Sequence, residues 1–498
     1  MWNALGPRTP LEIIVKTMKL DYNRILLIHP LGYNPGDAGW DISRLANIMS
    51  PLGLLSIAAY LEKKGITADI IDCYAHPVSE LGIHHYLKEK NPGYIGLTCT
   101  TSIFHDSVRI AKMAKGILPG IKSVFGGAHI SALREKILEN YPDVDFSVIG
   151  EGEECVEALI KAGNDSKSLS KIPGLVYRED GDIIFTGLRK KGIDLDSLPF
   201  PAYEKLQGYP HAYKLPIFNY PKTPNTCCNS SRGCPYACSY CDRSVFRRSF
   251  RYNSAAYLYE HMKYLKERFR IRHVNFYDDQ FTFNRKRVEE FCYMMMDNHL
   301  NMTFNCAVRA EHVDFELMKL MKSAGCWMMS LGIESGDPEL LAQHRQNADL
   351  DMLADTIRNI KKAGIRTKGL LMMGLPGESE ESIKRSMDYV FSLPIDDFNL
   401  AKFTPFPGSP LYENITELGT FEEDWDKMDC MNFLFVPNGM EKKRLEELFI
   451  EFYKAHYKRP KVMIGYISML WKSPDSWLRF ASNFTSFLKF AKSNRRMG

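Results

Sequence analysis

No stretch of about eighteen uninterrupted apolar residues occurs in the chain, which excludes a helix of ordinary length spanning a bilayer. The first thirty residues lack the charged start, apolar run and small-residue cleavage site of a secretory leader. The twelve cysteines are neither dense nor evenly patterned, so a disulfide-stapled extracellular scaffold is not expected and a cytoplasmic setting is. Strong charge of one sign is also missing: 64 basic against 60 acidic residues leave +4, too even a balance to draw nucleic acid by bulk attraction. There is no internal repeat and no low-complexity tract. With 45% apolar and 25% charged residues the chain is not a disordered one, and at 498 residues it is too long for a single compact core.

Short apolar runs alternate with helical patterns along the first third. Arg24 to Pro30 reads as a buried parallel strand closed by proline, and Pro51-Leu52-Gly53-Leu54-Leu55 opens a helix that stops at Gly65. Further strands are expected at 68–71, 94–98, 123–126 and 146–149, which predicts a doubly wound α/β sheet over residues 23–165, after an N-terminal extension of 1–22. Residues 166–225 are rich in proline and read as a linker with a small hairpin near 174–186. A second series of strands, at 226–229, 273–277, 303–307, 327–331, 367–373 and 399–404, predicts a partial (β/α)6 barrel over 226–425, with its chemistry at the strand C-termini. Residues 426–498 are expected to be helical.

Directly after the first strand of the second series, Ser231-Arg232-Gly233-Cys234-Pro235-Tyr236-Ala237-Cys238-Ser239-Tyr240-Cys241 places three thiols within eight residues. Three cysteines on one short loop converge on a soft metal site. A structural zinc ion normally takes four protein ligands, whereas a [4Fe-4S] cluster held by three thiolates keeps one iron open for a small molecule. A zinc loop with a distant fourth ligand, or reduced structural cysteines, are the other readings. Cys227 and Cys228 stand just upstream and read as strand residues.

The Cys-x3-Cys-x2-Cys spacing, with Tyr240 before the last cysteine, resembles the signature of the radical S-adenosylmethionine (SAM) superfamily. The resemblance implies that Cys234, Cys238 and Cys241 carry the cluster and that SAM chelates its open iron and is cleaved to a 5′-deoxyadenosyl radical. It also implies an electron donor such as flavodoxin or ferredoxin. By the same resemblance, Asp278 or Asp279 meets the SAM amino group and Arg309 its carboxylate; Glu334 and Ser335 belong to a ribose-binding turn, and Gly374 to an adenine-side turn. Pro405 to Tyr412 resembles the segment that closes the sixth strand.

Residues 23–160 resemble the cobalamin-binding domain ahead of the barrel in class B radical SAM proteins, through Pro51-Leu52-Gly53-Leu54, Gly126-Gly127-Ala128-His129 and Gly150-Glu151-Gly152-Glu153. This implies cobalamin contacts at Pro51, Leu52, Gly126, Gly127, His129, Gly150 and Glu151. The Asp-x-His-x-x-Gly segment that supplies a lower-face histidine elsewhere is absent; His129 is the candidate substitute, with contact to the corrin edge or only to its own loop as the other readings.

Together the two resemblances, which extend to the anaerobic magnesium-protoporphyrin ester cyclase and to hopanoid-type methyltransferases, imply methylation of an unactivated carbon or, alternatively, a non-methylating oxidative cyclisation. A non-catalytic iron-sulfur or cobalamin carrier is the reading from a different class. The substrate is expected to be a small or lipid-like molecule and no nucleic acid. From Trp477 to Ala491, apolar residues recur near helical spacing with Arg479, Lys489, Lys492, Arg495 and Arg496 interleaved or following, which predicts a basic amphipathic helix that either touches a membrane surface or docks on the barrel with a basic end.

Overall fold

The computed structural model describes residues 19–33 and 41–486. Five parallel strands, β1 (Asp21–His29), β2 (Thr67–Asp72), β3 (Pro92–Thr98), β4 (Lys122–Gly126) and β5 (Phe146–Val148), stand in the order 2-1-3-4-5. Their continuous apolar runs are explained by cover on both faces. In β1, Leu26 and Ile28 pack into one apolar layer with Ile95, Leu97 and Phe125, while Ile25 and Leu27 face the other layer with Val124 and Val148. The hairpin that the sequence places in the linker is β6 (Leu175–Glu179) and β7 (Asp182–Phe185). It extends this sheet antiparallel from β5 instead of standing alone.

The second sheet is all parallel, in the order β15-β14-β13-β12-β11-β8. Its strands are β8 (Asn225–Cys228), β11 (His273–Phe276), β12 (Thr303–Val308), β13 (Cys326–Glu334), β14 (Arg366–Met373) and β15 (Asp397–Lys402). Between β8 and β11 the short strands β9 (Ser231–Arg232) and β10 (Arg251–Tyr252) pair antiparallel. Six strands that do not close on themselves make an open half barrel with its helices outside. The helices Ala255–Phe269, Arg285–Asp297, Phe315–Ser323, Leu350–Lys362 and Glu380–Ser392 each begin with a side-chain N-cap, from Ser254, Asn284, Asp314, Asp349 and Ser379 respectively. Each cap satisfies a backbone N–H that the helix leaves unpaired, and so fixes where the preceding loop ends. Cys227 and Cys228 are buried in β8, as strand residues.

Beyond the barrel the chain is not helical throughout. The strands β16 (Gly419–Phe421) and β17 (Phe435–Pro437) pair antiparallel before the helices Lys442–Tyr457, Pro460–Lys472 and Pro474–Ser482. Of the expected tail helix, Pro474–Ser482 is observed, and residues 484–486 are helical again after a turn at Asn483; Phe487, Leu488, Lys489, Ala491, Lys492, Arg495 and Arg496 lie outside the described residues. Among the described residues no helix is long and apolar enough to cross a membrane.

Buried Arg479 ties this end of the chain to the rest. Its guanidinium donates to the carbonyls of Leu215 (2.8 Å) and Ala46 (2.9 Å) and to the Tyr220 hydroxyl (2.9 Å). Arg479→Ala leaves these acceptors without a donor and is expected to lower stability by about 1–3 kcal/mol. Urea denaturation measures the loss, and limited proteolysis should then cut among the last helices first.

Candidate functional site

The cysteine loop leaves the C-terminal end of β8 and is held by residues from four neighbouring loops. Asp278, at the end of β11, is buried, and its Oδ1 accepts from the Ser230 amide (2.8 Å), the Ser230 hydroxyl (3.1 Å) and the Ser231 hydroxyl. Burial raises the Asp278 carboxyl above the usual range, against the attraction of the Arg287 guanidinium and these hydrogen bonds. Asp278 therefore fixes the entry to the loop and is not open to a ligand ammonium group. Its neighbour Asp279 is exposed at the mouth, and its charge is felt by both Cys234 and Cys241.

The resemblance assigns Arg309 to a ligand carboxylate. Instead its guanidinium lies 3.7 Å from the Tyr236 ring centroid, pairs with Glu311 (2.6 Å) and donates to the Gln346 carbonyl (2.8 Å). Stacking on an aromatic face is a use to which arginine is well suited. Here it braces the cysteine loop. Ser335 is also taken up by the framework: fully buried, it bonds to Ser386 (3.0 Å) and accepts from the Asp337 amide (3.1 Å). The turn at Gly374 closes on itself, since the Gly374 amide donates to Glu378, whose carboxyl burial pushes up to about 8. Gly374 has φ +93°, a conformation that favours glycine.

What remains at the mouth is a group of mostly acidic side chains around the thiols. Cys234, Cys238 and Cys241 lie close enough to influence one another, and burial followed by the nearby Cys238 and Glu334 pushes the Cys241 thiol up to about 12. Burial and Glu334 likewise raise Tyr240 far above its ordinary value. Glu334 sits at φ +61° where β13 ends, a backbone conformation uncommon for a non-glycine residue, with the Arg345 charge opposing the rise that burial causes in its carboxyl. Three further residues escape the sequence reading. Gln280 donates to the Cys234 sulfur (3.6 Å) while its own Oε1 is buried without a partner. His344 bridges the Ser239 hydroxyl (2.8 Å) and the Pro376 carbonyl (2.7 Å), joining the cysteine loop to the Gly374 turn. Gln280 and Arg345 had a sequence cue, lying next to or near quoted motifs; His344 had none.

Among the described residues no three His, Cys, Asp or Glu side chains close on a single-ion point. A structural zinc ion takes four protein ligands, whereas three thiols on one loop are the donor set of a [4Fe-4S] cluster with one open iron.

A cavity of about 240 Å³ lies between the two sheets. The first domain supplies Leu52, Gly126, Gly127, Gly150 and Glu151, and the segments flanking the cysteines supply Ser231, Arg232, Val245 and Phe246. A side chain added at Gly126 meets nothing closer than 3.9 Å, so only the missing Cβ leaves that wall open to a ligand. Gly127 differs: at φ +112° its Cβ would come within 2.5 Å of the Cys99 carbonyl oxygen, so the fold itself requires glycine. Pro51 precedes the helix Leu52–Lys63 and is not among the lining residues. His129 is not a lining residue either. It is 1% exposed, packed between Phe104 and Trp425 with its Nδ1 near Thr101 (3.3 Å), and it joins the first domain to the segment after the barrel.

Glu151 faces the cavity but is held by cations of the other domain. Arg232 pairs with Glu151 (2.7 Å) and Glu153 (2.6 Å), Arg251 adds a second contact to Glu151 (2.8 Å), and Ser56 donates to Glu153 (2.6 Å). Arg232 stands two residues before Cys234, so the clamp connects the cavity floor directly to the thiol loop.

An open parallel half barrel with three thiols on its first loop, next to a 2-1-3-4-5 sheet with a glycine-lined cavity, defines a two-domain α/β protein built around bound cofactors. The family comparisons agree: residues 228–390 match the radical SAM superfamily and residues 41–160 match the B12 binding domain. The chain is a radical SAM enzyme with an N-terminal B12-binding domain, and its cofactors are a [4Fe-4S] cluster, SAM and cobalamin. It is 28% identical over 418 residues to the uncharacterized methyltransferase PH0819 of Pyrococcus horikoshii, covering 83% of this chain and 89% of that protein. It is 26% identical over 443 residues to the anaerobic magnesium-protoporphyrin IX monomethyl ester cyclase of Rubrivivax gelatinosus, covering 87% and 77%. The cobalamin-dependent radical enzyme OxsB, solved with aqua-cobalamin and SAM bound, shares the fold at a TM-score of 0.69 and 16% identity, over 95% of this chain and 75% of that one.

Burial opposes ionisation of Glu153, but Arg232 beside it outweighs burial and holds the carboxyl below the usual range. A carboxylate with a depressed folded pKa contributes stability above its unfolded pKa of about 4.3 and loses it as the pH falls below that. Arg232→Ala strands a buried carboxylate and is expected to cost about 3–5 kcal/mol at pH 7. Denaturation of parent and variant across pH 3 to 7 should show the gap narrowing on the acid side.

Proposed function

We propose that the protein is a cobalamin-dependent radical SAM methyltransferase acting on an unactivated carbon of a lipophilic small molecule, with Cys234, Cys238 and Cys241 as the cluster ligands. The observation that carries this reading is the shared seam: the segments that flank the three thiols also wall the glycine-lined cavity of the first domain. When bound, the cluster and SAM supply a hydrogen-abstracting radical, and cobalamin supplies the methyl group.

The chain's own residues contribute positioning and charge. Tyr240, Asp279 and Glu334 surround the SAM side of the thiol loop, where Asp279 is the accessible carboxylate for an ammonium group and Glu334 for ribose hydroxyls. Asp278, Arg309 and Ser335 support the loop and its neighbours from behind. Gln280 places an N–H on the Cys234 sulfur, a contact that tunes the electron-richness of a ligating thiolate. Gly126 and Gly150 let cobalamin approach the backbone, and the Glu151–Arg232–Glu153 clamp holds that wall against the barrel. Reduction needs a one-electron donor from outside the chain, of the flavodoxin or ferredoxin kind. The enzyme works in the cytoplasm, with its C-terminal helices as a peripheral membrane contact.

Alanine at Cys234, Cys238 or Cys241 is expected to abolish iron-sulfur absorbance and reductive SAM cleavage, whereas alanine at Cys73 or Cys430 should leave both intact. Full iron content in any of the three variants would overturn the ligand assignment. Gly126→Leu is expected to reduce corrinoid retention after gel filtration at least tenfold with the fold unchanged by circular dichroism, because the new side chain enters the cavity; Gly127→Ala should instead destabilise the protein. Product mass decides between a methylated product and the dehydrogenated, cyclised product of an oxidative enzyme.

A further inference from the structure

The amphipathic helix expected from the sequence begins at Trp477, but a dense group of exposed apolar side chains lies one helix earlier. On Pro460–Lys472, the side chains of Met463, Ile464, Ile467, Leu470 and Trp471 are all exposed, Ile464 at 65% and Trp471 at 69%. At 100° per residue these five fall within an arc of about 120°. The other side of the same helix is committed to the protein: Val462 and Met469 are buried, and the Tyr466 hydroxyl donates to Asp397 (2.7 Å). Leu478 (70% exposed) and Phe484 extend the open apolar surface onto the following segment. A contiguous patch of this kind on a helix marks an interaction surface.

The charge around the patch identifies what it meets. Residues 452–498 hold ten lysines and arginines against a single acidic residue, Asp475, in a chain whose total is only +4, so the remainder is net acidic. Asp475 is itself occupied, accepting from the Tyr220 hydroxyl (2.6 Å). Lys458, Lys461 and Lys472 are exposed beside the apolar arc, and none has a carboxylate within ion-pair distance among the described residues. An apolar stripe with a tryptophan at one end and lysines along its border is the pattern of a helix lying in the headgroup layer of a negatively charged bilayer.

We propose that the helix Pro460–Lys472, with Leu478 and Phe484, docks this protein on the surface of an anionic phospholipid membrane, with the apolar arc in the acyl boundary and the lysines on lipid phosphates. The helix is anchored to Asp397, at the start of β15, which is the end of the barrel opposite the thiol loop. Docking therefore leaves the mouth of the barrel uncovered. The inference sharpens the membrane contact in the functional reading but does not depend on the reaction.

The test is vesicle co-sedimentation of the cofactor-loaded enzyme. The parent is expected to sediment with phosphatidylglycerol–phosphatidylcholine vesicles at low salt, to bind pure phosphatidylcholine far less, and to be released as salt is raised. Ile464→Gln/Trp471→Gln should weaken binding to the anionic vesicles at least tenfold while iron content, SAM cleavage and thermal stability stay at the parent's values, since both side chains are exposed. No sedimentation of the parent, or equal binding by the double variant, overturns the proposal. So does a parent that runs as a dimer in gel filtration and a double variant that runs as a monomer, because the patch would then be covered by a second copy. Loss of SAM cleavage in the parent would count against the enzyme assignment alone.

Discussion

Arg232 holds two domains together through a single guanidinium, and much of the site depends on where that group lies. It belongs by sequence to the thiol loop and by contact to the first domain, where Glu151 and Glu153 accept from it. Two carboxylates so close would repel without a cation between them, and a buried guanidinium would be costly without both. Each domain thus supplies what the other lacks. The arrangement explains why Gly150-Glu151-Gly152-Glu153 is built as it is: the glycines keep the chain close to the cavity, and the acids turn toward the barrel. Arg251 on β10 adds a second contact to Glu151, and β10 pairs with β9, which carries Arg232. The clamp is therefore part of a small sheet, so its geometry does not rest on one flexible side chain.

The parts that were legible in the sequence are those that a local pattern sets. The continuous apolar runs of β1 and β3 show strands covered on both faces, and the spacing of three cysteines names a loop chemistry without any help from tertiary structure. Secondary-structure order followed from these, including all six strands of the half barrel. The hairpin at β6 and β7 was visible as a hairpin, but not as an extension of the first sheet, because the antiparallel pairing to β5 is a long-range event with no local signature. The pair β16 and β17 was missed for the same reason: each strand is three residues long and too short to show a period.

Site residues were less legible, and the reason is physical. A motif gives the residue type at a loop position but not the direction of its side chain. Asp278 and Asp279 are adjacent and chemically identical, yet one is buried against Ser230 and Ser231 and the other opens on the mouth. A glycine pair hides the same difference. Gly126 leaves space that a ligand would fill, whereas Gly127 is pressed against Cys99, and only the coordinates separate the two. His129 stood out only because the Asp-x-His-x-x-Gly segment is absent, and the sequence left open whether it reached the cofactor or merely its own loop. The segment carrying Trp425, nearly three hundred positions later in the sequence, covers it.

Once the supporting residues are set aside, the charges left around the thiols have a common sign. Cys234, Cys238 and Cys241 become anionic when they ligate, and Asp279 and Glu334 add carboxylates nearby, with Arg345 as an opposing charge near Glu334. Arg309 contributes less than its charge suggests, since Glu311 already pairs with it. Partial desolvation and the neighbouring Asp278 charge raise the Asp279 carboxyl, and burial raises that of Glu334 against the Arg345 charge, as expected of acids grouped without enough cations. Such a mouth is incomplete as an electrostatic unit. In the proposed reading, cluster iron would offset the thiolates and the SAM sulfonium would offset the nearby carboxylates, so the cofactors would complete the balance that the folded chain leaves open.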